Sequence, residues 1–197
     1  IPDNHLARQQ GIDDSQAAAR TYLQGEAGDS FRPEVVDAFL KNGPEMLRFF
    51  EENTRFRCNL YQYPDYHPDA PGGGMRGRSV VPEAFDIREL GKSMRHLRKP
   101  LRTITFMGMM FSSSNNDLKH FFNATRSLKS FAYVVKRLSR HLLEVARYGR
   151  GITANGGNAV VARLACSALD LGIPIHTGVA AKDLIVENGV VRGAVVE

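Results

Sequence analysis

The chain has 197 residues, 43% of them hydrophobic, a formal net charge of +5 and a pI near 9.4. That supplies a core for one large domain or two small ones, and no apolar run approaches the roughly 18 residues of a membrane span. Cys58 and Cys166 are lone thiols, which argues against a disulfide framework or a zinc site and fits a reducing, cytoplasmic setting.

Ile1 to Arg8 reads as loop. Asp13-Asp14-Ser15 opens a helix to about Leu23, with short polar side chains to cap it and acidic charge at its positive end. Gly25 to Ser30 reads as a polar linker. Pro33 suits the first turn of a helix carrying Val35, Val36, Phe39 and Leu40 inward. Asn42-Gly43-Pro44 is expected to interrupt it, and a second helix would bury Met46, Leu47, Phe49 and Phe50.

Phe56 to Tyr61 reads as a strand. The stretch Tyr63 to Gly74 holds three prolines and three glycines in twelve residues, which forbids regular structure. Loops of this kind carry binding residues, so the segment from 63 to 78 is the first candidate site. Arg76 to Pro82 returns as a strand, and Phe85 to Leu90 as a helical turn stopped by Gly91. The basic stretch Lys92 to Arg102 precedes a Met- and Phe-rich run, Phe106 to Phe111. Nucleic-acid binding would need aromatics alternating with Lys and Arg on an exposed strand. Here they cluster apart from the charges, so the basic excess between Lys92 and Arg150 reads as a solvated helix face, with no nucleic-acid partner expected, and the apolar run as core or pocket lining.

Ser112 to Asn116 reads as a break that caps a helix through Phe122. A long helix from Thr125 to Tyr148 carries Leu128, Phe131, Val135, Leu138, Leu142 and Val145 at spacings of 3, 4, 3, 4 and 3, one apolar seam. The seam is expected to pack on neighbouring protein, or on a second copy of the chain, as exposed apolar patches do.

Asn155 or Asn158 caps the next helix, whose apolar residues are Val160, Val161, Leu164, Ala165, Ala168 and Leu171, with Gly172 and Pro174 as its stop. Its small face, Ala162, Ala165 and Ala168, suggests close packing on a sheet. Strands follow at Ile173 to Thr177, Val179 to Val186 and Val190 to Val196, the last two joined by the tight-turn signal Asn188-Gly189. The chain opens at Ile1 without an initiator Met and stops within this pattern, so it is expected to be an internal piece of a longer protein.

Chemistry-bearing motifs are sparse. There is no G-x-G-x-x-G, no Walker A and no G-x-S-x-G, and the six histidines show no metal-ligand spacing. The residues by themselves give a soluble α/β piece with one unusual loop.

Longer stretches carry a resemblance. Asp65-Tyr66-His67-Pro68-Asp69-Ala70-Pro71-Gly72-Gly73, then Gly77-Arg78-Ser79, Phe85-Asp86 and Leu90-Gly91, resemble the FAD-dependent 3-ketosteroid dehydrogenases and, equally, their relatives among the fumarate reductase and succinate dehydrogenase flavoproteins. Ile1-Pro2-Asp3-Asn4, Gly11 to Ser15 and Gly156 to Leu164 match the same group.

The resemblance implies an α/β fold. Residues 1–150 would be helical and loop insertions, and 151–197 the helix, strand and β-hairpin part of a Rossmann-like FAD-binding domain. The family's Gly-rich pyrophosphate loop would precede Ile1, and its cap domain, main base and carbonyl-polarising tyrosine would follow Glu197. FAD would therefore belong to the longer protein and not be retained by this stretch. A backbone group at Ala181 would meet the adenine. The implied reaction is 1,2-desaturation beside a ketone: a base removes the acidified proton and flavin accepts a hydride. Tyr66 falls where the family's loop tyrosine lies near that base, with Tyr63 a weaker candidate. The substrate would be a steroid or another apolar ketone, or, in the fumarate-reductase reading, a small dicarboxylate bound by arginines.

Overall fold

The computed structural model describes residues 1–111 and 117–197, so the expected cap at Ser112 to Asn116 lies outside the described residues. The order is α1 (His5–Gln9), α2 (Gln16–Ala27), α3 (Pro33–Asn53), β1 (Cys58–Tyr61), β2 (Ser79–Pro82), β3 (Phe85–Asp86), β4 (Thr105–Phe106), β5 (Met109–Met110), α4 (Asp117–Phe122), α5 (Leu128–Tyr148), β6 (Thr153–Ala154), α6 (Gly156–Asp170), β7 (Ala181–Glu187) and β8 (Val190–Val196). Four antiparallel pairs form among the described residues: β1 with β2, β3 with β6, β4 with β5 and β7 with β8.

Several boundaries depart from the sequence expectation. The first eight residues are not all loop: Asn4, fully buried, caps α1 by accepting from the Ala7 N–H and donates to the carbonyls of Ile1 and Gly77. The expected linker at Gly25 is helical to Ala27 and then a 3₁₀ turn. α3 runs unbroken through Pro44. Proline there removes one bond to the carbonyl four residues back, while packing of Leu40, Gly43 and Leu47 holds both halves in line. Only Leu40 and Leu47 of its expected inward residues are buried, and Val35, Phe39, Met46 and Phe49 are exposed. Phe85 and Asp86 pair with β6 before a 3₁₀ run begins at Ile87. Ile173 to Thr177 is not a strand, having no strand partner among the described residues.

The main core joins both halves of the chain. Phe85, Ile87, Leu90, Leu97, Ile152, Ala154, Ala159, Ala162 and Cys166 form one buried cluster. Of the expected small face of α6, Ala162 is wholly buried and Ala165 packs against the cluster, while Ala168 is only half-buried; Ala159, one turn earlier, is wholly buried with them. Arg163 extends from the same helix over the Phe85 ring at 5.0 Å and donates to the carbonyls of Arg55 and Ala84. The β7–β8 hairpin turns at Asn188 and Gly189, with φ of 52° and 75°, as a type I′ turn requires.

Candidate functional site

The loop between β1 and β2 is irregular but tightly held. Arg78, at its end, donates through Nε and Nη2 to both carboxylate oxygens of Asp14, at 3.0 and 2.7 Å, and through Nη1 to Asp65 Oδ2 at 2.7 Å. All three side chains are largely buried, and the backbone nitrogen of Ile1 donates to the Arg78 carbonyl. Asp65 closes the loop on itself, accepting from the Gly74 N–H at 2.8 Å while its own N–H donates to the Gly74 carbonyl. Across the loop the His67 N–H donates to the Tyr22 hydroxyl, and His67 Nδ1 meets the Glu26 carboxylate at 2.9 Å. Two glycines make the close approach possible. A Cβ on Gly72 would sit 2.1 Å from the Ala18 carbonyl, and one on Gly73 2.6 Å from that of Pro68.

Between these anchors stands Tyr66, 97% exposed. Tyr63, also exposed, lies beside Tyr61 with ring centroids 4.2 Å apart. The sequence marked this loop by its prolines and glycines. It did not mark Tyr22, Glu26 and Asp14 as its anchors, because nothing in a helix pattern shows which residues meet a distant loop.

A second region surrounds the start of α6. Asn155 occupies the cap position, yet its side chain makes no cap hydrogen bond, and its Nδ2 is buried without a hydrogen-bond partner among the described residues. Asn158 instead donates to the Arg98 carbonyl. A Cβ at Gly156 or Gly157 would meet nothing within 4 Å. An uncapped helix start leaves its N–H groups directed outward, ready for an electron-rich ligand atom. At Ala181 the side chain is exposed. Ala180 and Glu197 exchange both backbone bonds, so the alternation of an antiparallel ladder turns the N–H and C=O of Ala181 toward the open edge of the hairpin. These donors and acceptors fit a polar cofactor such as FAD.

The third region is a cleft of about 500 Å³ between the β4–β5 hairpin and α5, bordered by Met107, Met109, Met110, His141, Glu144 and Arg150. The Met-rich run does line a pocket. The polar residues there serve the fold. His141 Nε2 donates to the Met107 carbonyl, and Glu144 accepts from Arg140 Nε and the Ile152 N–H. Arg150 donates to the carbonyls of Met94, Leu97 and Arg98, and burial holds its guanidinium below its ordinary pKa. His141 and Glu144 escaped the sequence reading because they lie on the face of α5 away from its apolar seam.

Cys58 and Cys166 are both buried and free. Burial, reinforced by the Glu51 carboxylate, pushes the Cys58 thiol up to about 12. The described residues hold no cluster of metal-ligating side chains and no helix long and apolar enough to cross a membrane.

The chain is 35% identical, over 204 aligned residues, to the 3-oxosteroid 1-dehydrogenase of Mycobacterium tuberculosis, covering 100% of the chain and 34% of that protein. It is 33% identical to the 4-oxocyclohex-2-ene-1-carboxylate 5-dehydrogenase of Sinomonas cyclohexanicum, over 99% of the chain and 33% of that enzyme. Its structure matches that of the 3-ketosteroid Δ1-dehydrogenase of Sterolibacterium denitrificans, solved with 1,4-androstadiene-3,17-dione. The TM-score is 0.78 at 26% identity, over 100% of this chain and 35% of that one. The chain thus spans about a third of the length of the relatives it matches. All of it, residues 1–197, matches the FAD binding domain family, and the chain belongs to that family.

Proposed function

We propose that the protein carrying this chain is an FAD-dependent dehydrogenase that desaturates a cyclic ketone beside its carbonyl, with a 3-ketosteroid as its substrate, and that Tyr66 presents its phenol to that substrate. The observation that carries the reading is an aromatic side chain held out to solvent on a loop whose backbone is fixed on both sides. A large exposed ring on a fixed backbone fits a ligand that is brought to it. The relatives' names supply the substrate class.

When bound, FAD supplies the ring that accepts a hydride. The start of α6, with Asn155 Nδ2, and the backbone of Ala181 are the groups of this chain that would hold it, within an FAD domain formed from residues 151–197 and insertions from 1–150. Tyr66 would hold or pass a proton at its hydroxyl oxygen, next to the carbon acidified by the ketone. The dicarboxylate alternative needs an arginine available to the substrate. The loop's buried arginine, Arg78, is engaged by two carboxylates and so is not that arginine. The Sinomonas relative favours a second reading, a smaller cyclic keto acid. A cytoplasmic setting and self-association of the isolated chain through α5 complete the proposal.

The test is anaerobic addition of a 3-ketosteroid to the complete, flavin-loaded protein. Bleaching of the flavin band is expected, and Tyr66→Phe should slow it by about 100-fold. A flavin that ignores steroids yet bleaches with 4-oxocyclohexanecarboxylate would shift the substrate to the keto acid. A protein that cannot be loaded with FAD would overturn the proposal.

A further inference from the structure

We infer that Arg78 is a positioning residue for Tyr66: its guanidinium ties Asp65, the residue before Tyr66, to Asp14, two residues before α2, and this strut sets where the phenol points. The inference rests on the reading of Tyr66 as substrate-facing.

Three observations carry it. The Arg78 fork grips Asp14 bidentately and reaches Asp65 with its remaining nitrogen, a geometry that an ammonium group does not reproduce. Asp65 spends the same oxygen on the Gly74 N–H, so one contact fixes both the residue before Tyr66 and the far side of the loop. The residue after Tyr66 is tied to α2 separately, by Tyr22 and Glu26. Tyr66 thus stands between two anchored neighbours, one tied through Arg78 to Asp14, just before α2, and the other tied to α2 itself. A buried ion cluster is weak support for stability as such, because desolvation offsets much of its attraction. Its better-attested use is to select one arrangement, and here the arrangement selected is that of the tyrosine backbone. Proton transfer depends steeply on placement, with an ångström of error able to cost on the order of 100-fold.

Arg78→Ala would leave two buried carboxylates facing each other and risks the fold, so Asp65→Asn and Arg78→Lys are the informative variants. Each would be measured in the complete flavin-loaded protein, together with Tyr66→Phe and the Asp65→Asn/Tyr66→Phe double variant. The readouts are flavin content, steroid affinity and the anaerobic rate of flavin reduction by a 3-ketosteroid. Flavin content should be unchanged and affinity little changed. Reduction should slow by roughly 10- to 100-fold in Asp65→Asn and in Arg78→Lys. The double variant should be no slower than Tyr66→Phe, since misplacing an absent hydroxyl has no further cost. Full-speed Asp65→Asn or Arg78→Lys, or losses that multiply in the double variant, would overturn the inference while a slow Tyr66→Phe keeps the reading of the tyrosine. A Tyr66→Phe protein as fast as the parent would overturn both.

Discussion

Asp14 is under two opposing pressures. Burial raises its pKa, and the hydrogen bond and positive charge of Arg78, with the backbone N–H groups of Ser15 and Asp3, together lower it by more, so the carboxyl rests below its ordinary range. A group with a depressed folded-state value adds stability that is present above its unfolded pKa and lost as pH falls through the folded value. The urea midpoint of the chain should therefore hold from neutrality down to about pH 4 and fall below it. Asp14→Asn should lower the neutral midpoint and flatten that acid decline. An acid profile the same as that of the parent chain would show that the pair contributes nothing through this carboxylate. Asp14 was legible in the sequence only as acidic charge opening a helix. Its partner lies 64 residues away, and no local pattern encodes that pairing.

At the scale of elements, α5 departs furthest from its pattern. Its existence, its Ser127 cap and its stop at Gly149, in the left-handed region with φ of 70°, all follow from local chemistry. The face it buries does not. Ser130, His141 and Glu144 are buried, whereas Leu128, Phe131, Val135, Leu142 and Val145 are exposed. The inner face has its own helical spacing through Tyr133 and Arg137, whose side chains meet the buried Asp117 of α4. Two substitutions separate the faces. His141→Ala removes the bond to Met107 and opens space beside Gly151, and should cost about 2–3 kcal/mol in thermal unfolding. Leu142→Glu, one residue on, should change stability by no more than about 0.5 kcal/mol while reducing self-association in sedimentation. The reverse ranking would mean that the apolar seam is the packed one.

Across the whole molecule, burial is unevenly shared. The cluster around Phe85, Ile152 and Ala162 draws on residues far apart in the chain, whereas every residue of β7 is exposed and that strand pairs with β8. An exposed two-stranded hairpin is marginal on its own. Amide exchange of the chain should therefore be slowest in α6 and the segments under it, and fast in residues 181–196 despite their well-formed ladder. Equal protection in both would show that the hairpin has a packing partner.

The sequence by itself determined what local chemistry controls: the cap at Ser15, the stop at Gly172, the tight turn at Asn188-Gly189, the irregular loop around Tyr66 and part of the small face of α6. Its longer matching stretches also reached the family. Only the tertiary structure decided which face of α5 is inward, that α3 passes through Pro44, that Ile173 to Thr177 pairs with nothing described, and that Arg78 joins two aspartates across the loop. Caps and turns are satisfied by atoms a few residues apart, so their signals survive in a linear reading. Burial and ion pairing depend on segments that meet only when the chain folds, and no spacing along the chain records which of them will.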